Sequence, residues 1–326
     1  MFDIITVGSA TVDVFAKTEC DLITIKTPRS NESLIAYPAG SKILIDKLEF
    51  KVGGGGTNTA VSFSRLGLKT AYLGKLGKDD NSNNILNLLK KEKIKFIGTF
   101  GKDQTGYSII LDSDAKDRTI LTNKGANNNL LYSSINKKML KSKWFYFSSM
   151  MVKSLDTLIQ LSNYAKKNNI KIAFNPSSYL IKEDFEKVKL LLKNVDVLIF
   201  NKEEAELLCG EFNINELLNR CQTFGPEIVI ITDGAKGCYC IDDKYYYSIS
   251  PRKVKVVETT GAGDSFASAF ISGLIKDKDL EFSLRLGMVN SEAVIQAIGA
   301  KENLLNYKDA LKSMKNKPHK INKTLK

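Results

Sequence analysis

Histidine is almost missing from this chain. His319 is the single one among 326 residues, and it lies in the lysine-rich stretch Lys312-Ser313-Met314-Lys315-Asn316-Lys317-Pro318-His319-Lys320. That location argues against a histidine-activated serine or cysteine nucleophile, a histidine general base and a histidine-built zinc site. It leaves carboxylates, lysines and metal-bound phosphate chemistry. Cysteine is sparse as well: Cys20, Cys209, Cys221, Cys238 and Cys240 form no C-x-x-C pair, and an odd, scattered set does not make a disulfide framework. No run of eighteen apolar residues occurs, and residues 1–8 lack the basic, long apolar and small-residue portions of a signal peptide. Together these absences predict a soluble cytoplasmic protein with no membrane partner.

What is present is a core-forming composition and an excess of positive charge. With 43% hydrophobic residues, the chain can bury a large interior as one elaborated domain. The net charge of +12 invites a nucleic-acid reading, but six lysines (Lys312, Lys315, Lys317, Lys320, Lys323, Lys326) fall in the last fifteen residues. No zinc-finger, basic-zipper or RNP-like pattern accompanies them, so no specific nucleic-acid partner is expected. The chain therefore divides into one domain over residues 1–310 and a flexible lysine-rich tail over 311–326.

The pattern along the chain is α/β. A short apolar strand over 2–8 ends in glycine, and a helix over 57–66 follows a glycine loop and stops at Gly67. A second helix is expected over 85–94. From residue 144 strands (144–147, 170–174, 195–200, 228–231) alternate with helices (155–167, 184–192, 203–208, 216–224), and a hairpin closes over 238–249. Strands separated by helices of this length predict a doubly wound, mostly parallel sheet flanked by helices. Two β-rich stretches, about 15–51 and 96–123, fit the alternation poorly and are expected to pair as a small β-sheet lid.

Two glycine-rich segments carry the chemistry. Thr259-Thr260-Gly261-Ala262-Gly263-Asp264 follows an extended run over 254–257 and opens a long apolar helix. Glycines at a helix start let a ligand approach the backbone, and the unpaired amides and positive dipole end suit an anionic phosphate. An Asp in that first turn can take a proton from a hydroxyl. The plain alternative is an ordinary glycine loop with Asp264 as a capping carboxylate. Gly53-Gly54-Gly55-Gly56-Thr57-Asn58 is a second permissive loop feeding a helix; by itself it could be a flexible turn. Asp13, after the first strand, is placed to bind vicinal hydroxyls, although a lone Asp there is commonly a turn residue.

Taken in order, the motifs become recognisable. Gly8 and Asp13 come first, then Gly54-Gly55 with Asn58, Leu73-Gly74-Lys75-Leu76-Gly77-Lys78-Asp79, Gly125-Ala126-Asn127 and Asn175-Pro176-Ser177. Asn201-Lys202-Glu203-Glu204, Ile231-Thr232-Asp233-Gly234-Ala235-Lys236-Gly237 and Thr260-Gly261-Ala262-Gly263-Asp264 complete the series. The chain resembles the ribokinase-like (PfkB) carbohydrate kinase family from residue 2 to about 305. The resemblance implies a ribokinase-like domain with a lid that closes over the sugar and often carries a homodimer contact. It further implies ATP as co-substrate and Mg²⁺. Asp264 then takes the place of the general base, and Gly261, Ala262 and Gly263 that of the anion hole. Asp13, Gly54, Gly55 and Asn58 fall at the acceptor-binding positions. Asn201 and Glu204 match the motif that organises magnesium and phosphates, with Glu204 acting indirectly on the metal. Thr232, Gly234 and Gly237 match the ATP loop, and Asn290 the lining of the nucleotide-base pocket. Glu258 stands where many relatives carry Asp at a monovalent-cation site, which leaves potassium dependence open. Gly55 stands where some ribose-specific members have lysine.

A pentose or hexose is the expected acceptor. A nucleoside is one alternative, since Phe15, Tyr37, Phe50 and Tyr107 in the lid could stack on a base or equally form the lid's own core, and a sugar phosphate is another, for which Lys17, Arg29, Lys42 and Arg118 offer cations. A catalytically silent binding protein on the same fold is the reading from another class; the complete set Asp264, residues 261–263, Asn201 and Glu204 speaks against it.

Overall fold

Runs such as Ile-Val-Ile-Ile-Thr and Val-Leu-Ile-Phe-Asn are apolar without alternation, which suits strands buried on both faces. A computed structural model describes residues 1–17, 21–26, 31–36, 39–112 and 118–326, and in it these runs form the middle of a ten-stranded sheet. From one edge the strands are Ile321–Leu325, Tyr245–Ile249, Cys238–Ile241, Ile228–Thr232, Val197–Asn201, Lys171–Asn175, Ser142–Ser148, Phe2–Val7, Thr70–Leu73 and Lys95–Phe96. The stretch from Ile228–Thr232 to Lys95–Phe96 is parallel, and the three strands before it pair antiparallel. Alternate residues of one strand serve opposite faces. Phe145 and Phe147 pack into the layer with Leu155, Leu158 and Leu191, whereas Tyr146 packs on the other side with Phe63, Phe266 and Phe270.

The first strand, Phe2–Val7, lies between Ser142–Ser148 and Thr70–Leu73. The chain winds outward from it in both directions, so the strand order reverses beside it. Ligands of open α/β sheets bind outside the carboxyl ends of strands at such a reversal. Ser9, Ser148, Asn175, Asn201 and Thr232 stand at those ends and line one cavity.

The expected lid exists as a mixed four-stranded sheet ordered Arg118–Asn123, Gly106–Asp112, Thr11–Lys17, Lys47–Gly53. The two β-rich stretches meet through the parallel pairing of Thr11–Lys17 with Gly106–Asp112. Residues 95–100 do not join it; Lys95–Phe96 ends the main sheet, and Thr99–Phe100 pairs with Lys75–Leu76. Asp21–Lys26 and Asn31–Ala36 form a separate two-stranded ladder. Of the lid aromatics, Phe15 is buried, Tyr107 packs against a cluster that includes Val12 and Leu76, and Phe50 is 62% exposed. Tyr37 and Cys20 lie outside the described residues.

The helix expected over 184–192 is Phe185–Leu192, and a short helix not anticipated, Ser178–Glu183, precedes it across Asp184, whose φ of −137° and ψ of 48° are not helical. Residues 254–257, expected as an extended run, form no strand. One expectation needs correction. The tail expected to be flexible is built into the fold: Tyr307–Asn316 is a helix with Ala310 buried, and Ile321–Leu325 adds a strand along Tyr245–Ile249. Its anchor is ionic. His319 is 5% exposed, with Nε2 2.8 Å from Glu292 Oε1, while Arg252 donates from Nε to Glu292 Oε2 at 2.6 Å and from Nη1 to the Lys317 carbonyl at 3.2 Å. Burial pushes the Glu292 carboxyl up, but hydrogen bonds from His319 and Arg252 outweigh it and hold the group below its ordinary 4.5.

A carboxylate held low stabilises the fold at pH above its unfolded value and loses that contribution as pH falls through the folded one. Glu292→Ala strands a largely buried guanidinium and should cost about 3 kcal/mol. The urea midpoint should drop at unchanged m-value; a midpoint equal to wild type would contradict the anchor.

Candidate active site

The two glycine loops meet because the helices they open pack side by side in the same direction. Asn58 Nδ2 donates to Asp264 Oδ2 at 2.8 Å, and one turn further along Ser268 Oγ donates to Ser62 Oγ at 2.6 Å. A contact between residues 58 and 264 followed by one between 62 and 268 requires parallel helices, so Gly55–Arg65 and Ala262–Ile275 present their amino ends to the same space. Small side chains permit the approach. Asn58, Thr59 and Ser62 on one helix and Ser265 and Ser268 on the other are all buried.

The glycines are dictated by what they touch. A β-carbon on Gly55 would lie 2.1 Å from Ser148 Oγ, too close to fit unless that side chain moves, and in van der Waals contact with Asp264 Oδ1 at 3.5 Å, so the glycine keeps this side of the carboxylate uncovered. Gly261 has φ of +80°, the left-handed conformation that lets the chain turn into the helix. Gly54, with φ of +91°, caps the other helix and accepts from the Asn58 amide at 2.9 Å. The Asp13 carboxylate stands where a side chain on Gly53 would be, placing it on the lid side of the same loop.

Among the residues expected to form the anion hole the structure makes a distinction that the motif does not. The Ala262 amide turns back to the Thr259 carbonyl at 3.1 Å, whereas the amides of Gly263 and Asp264 have no acceptor among the described residues. The α-carbon of Gly263 faces open space. These two amides, at the positive end of the helix, are the ones an anion can meet.

Burial pushes the Asp264 carboxyl above its ordinary 3.8, opposed by the hydrogen bond from Asn58 and by the charge of Lys301. Lys301 is the functional-site residue that the sequence did not announce. It is 8% exposed and donates to the Val52 carbonyl at 2.6 Å and to Asn58 Oδ1. Burial pulls its amine down to about 8, against the attraction of Asp13 and Asp264. A lone lysine after Gly299-Ala300 belongs to no pattern, which is why spacing could not reveal it.

Asn201 and Glu204 form a reciprocal capping box. Asn201 Oδ1 accepts from the Glu204 amide at 2.8 Å, and Glu204 Oε2 accepts from the Asn201 amide at 2.9 Å. Both side chains nevertheless border the cavity, and burial pushes the Glu204 carboxyl up to about 7. Thr232, Gly234 and Gly237 line a second, larger cavity of about 830 Å³ with Pro251, Val254, Phe266, Met288 and Ile295. It meets the first, of about 380 Å³, at Thr232 and Gly263. Asn290 is a correction. It is fully buried and its amide is consumed, Nδ2 donating to Ser62 Oγ and the Ser265 carbonyl and Oδ1 accepting from the Leu305 amide. Met288, Ser291, Glu292 and Ile295 turn the cavity face of that helix, and residue 290 points the other way. Glu258, at the candidate cation position, accepts from the Gly299 amide at 2.7 Å.

Two cavities joined at a helix amino end, with a carboxylate at the junction, can bring a hydroxyl and a phosphate together. Residues 3–306 match the family described as pfkB family carbohydrate kinase. The chain belongs to that family. It is 30% identical over 295 residues to a ribokinase of Lactococcus lactis, covering 89% of this chain and 92% of that protein. It is 27% identical over 325 residues to an adenosine kinase of Saccharomyces cerevisiae, covering 91% and 95%. Its fold superimposes on that of an Arabidopsis thaliana ribokinase complexed with ribose and ATP with a TM-score of 0.82 at 22% identity, covering 96% of this chain and 99% of that one. No helix among the described residues is long and apolar enough to cross a membrane.

In this kinase the strictest test of the loop geometry is Gly55→Ala. The added methyl collides with Ser148 Oγ and crowds Asp264. kcat/KM for the acceptor should fall on the order of 10-fold or more while the KM for ATP stays within about twofold. An equal loss in both would place Gly55 away from the acceptor.

Proposed function

We propose that the enzyme phosphorylates a hydroxyl of a small sugar, a pentose or hexose, from ATP, with Asp264 as the general base. The observation that carries this reading is the position of Asp264. It stands in a cavity bordered by Ser9, Ser148, Ser149, Asn127 and Asn175, in the same first helical turn as the two unpartnered amides, its own and that of Gly263, and next to the junction with the larger cavity. Hydroxyl and amide side chains of this kind suit a polyhydroxylated ligand, and 380 Å³ fits a small one. The larger cavity, with Thr232, Gly234 and Gly237 along one wall and Val254, Phe266 and Met288 along another, suits the phosphates and base of ATP.

In the reaction the acceptor hydroxyl gives its proton to the Asp264 carboxylate and its oxygen attacks the terminal phosphorus. The bond to the bridging oxygen breaks and ADP leaves. The Gly263 and Asp264 amides and the two helix amino ends meet the charge on the phosphoryl oxygens, which is where catalysis of this transfer lies. Magnesium would be carried largely on the ATP phosphates, with Glu204 the carboxylate at hand and its effect exerted through water. The metal would neutralise phosphate charge. Leu48 and Phe50, two apart on one lid strand and 48% and 62% exposed, support a homodimer contact through the lid. A nucleoside acceptor is the second reading, favoured by Tyr179, an aromatic ring 71% exposed at the cavity rim.

Asp264→Asn should lower kcat on the order of 10²-fold or more with ATP binding retained. Wild-type turnover in that variant would remove the base assignment. Since Asp264 acts as the carboxylate and burial raises it, activity should fall with decreasing pH at a point above the ordinary range of aspartate. ADP release with ribose, fructose, fructose 6-phosphate or adenosine, followed by mass spectrometry of the product, identifies the acceptor. Excess EDTA should abolish the release.

A further inference from the structure

We infer that Lys301 is a positioning residue for the general base: clamped between the Val52 carbonyl and Asn58 Oδ1, it fixes the Asn58 amide so that Nδ2 faces Asp264 and keeps the Asp264 carboxylate ionised. The inference rests on Asp264 being the base.

The geometry leaves Asn58 one orientation. An ammonium group can only donate, so the amide edge facing Lys301 is the oxygen. The opposite edge, the NH₂, then meets a carboxylate that can only accept, at 2.8 Å. Lys301, held also by the Val52 carbonyl, and Asp264 thus flank the Asn58 amide, whose direction is set by the positive charge on one side and the negative charge on the other. Both Asn58 and Lys301 are nearly excluded from solvent, at 7% and 8% exposure, where a misplaced dipole or a missing charge is felt strongly. The charged and titratable groups around the pair are few. Asp13, Asp264, Arg65 and Glu302 face Lys301; Lys301, Glu204 and Tyr146 face Asp264. Among the described residues Lys301 is the one cation acting on Asp264, opposing both its burial and the Glu204 carboxyl.

The test compares Lys301→Met, which keeps length and removes charge and donor, with Lys301→Arg, which keeps both. Asp264→Asn is assayed alongside, with the acceptor from the panel of ribose, fructose, fructose 6-phosphate and adenosine that gives the highest turnover. Lys301→Met should lose on the order of 10-fold or more in kcat with the KM for ATP within about twofold, and its acidic limb should move up by about one pH unit. Lys301→Arg should restore the wild-type limb. The ¹³C carboxyl titration of Asp264 in aspartate-labelled protein, assigned by its loss in Asp264→Asn, reads the same shift with no acceptor present. A folded Lys301→Met with unchanged kcat and unchanged Asp264 titration overturns the inference, as does Lys301→Arg behaving like Lys301→Met. Should Lys301→Met fail to fold, the wild type decides. The Asp264 carboxyl should show a second inflection above neutral pH as the Lys301 amine, lowered by its burial, loses its proton, and a carboxyl with no second inflection up to the pH at which the protein unfolds overturns the inference. Full turnover in Asp264→Asn would instead remove the base assignment itself, so the two failures are distinguishable.

Discussion

The structure turns on the parallel contact between two helices, Gly55–Arg65 and Ala262–Ile275. Each brings to its amino end roughly half a positive charge and a set of amides without intrahelical partners. Parallel packing adds these ends at one place, a repulsive arrangement unless something negative sits there. Asp264 is the negative group in the protein itself, and a phosphoryl group is the one expected in the reaction. The serines at the contact, Ser62 and Ser268, keep the axes close while satisfying each other's hydroxyls.

The sheet supplies the other half of the geometry. Because the strand order reverses beside Phe2–Val7, the carboxyl ends of Ser142–Ser148, Lys171–Asn175, Val197–Asn201 and Ile228–Thr232 fan out along one rim. Their last residues, Ser148, Asn175, Asn201 and Thr232, become a row of polar groups. Most of the row borders the smaller cavity, and its end at Thr232 reaches the larger one. The Asn201–Glu204 box serves both levels, closing a helix start through backbone amides while presenting a desolvated carboxylate to the cavity.

Much of this was legible in the sequence because it is imposed by the backbone. Gly54, Gly55 and Gly261 are required by positive φ or by close approach, and such requirements leave a fixed residue type at a fixed place. The regular alternation from residue 144 onward gave the parallel strands, and the two stretches that broke the alternation proved to pair in the lid. What stayed hidden depends on single side chains meeting across long separations. Lys301 reaches Asn58 over 243 positions, and Arg252 and His319 reach Glu292 over 40 and 27. Neither set has a period or a spacing, so a buried lysine looked like surface and an anchored segment looked like a tail. Asn290 failed for a different reason: it lies on the helix Leu280–Val294, where a shift of one position rotates a side chain by about 100° and out of the cavity.

The strand Ile321–Leu325 gives the lysine excess another meaning. A sheet of ten strands ends in a row of unpaired amides and carbonyls, a template on which a second chain could grow. Here that outermost strand reads Ile-Asn-Lys-Thr-Leu, short and flanked by Lys320 and Lys326. Lys323 lies 4.2 Å from the centre of the Tyr245 ring and shields aromatic surface on the neighbouring strand. The charge that suggests a polyanion partner thus lies along an open strand edge, where lysine works against pairing with a second chain, and it stands apart from the cavity at Asp264.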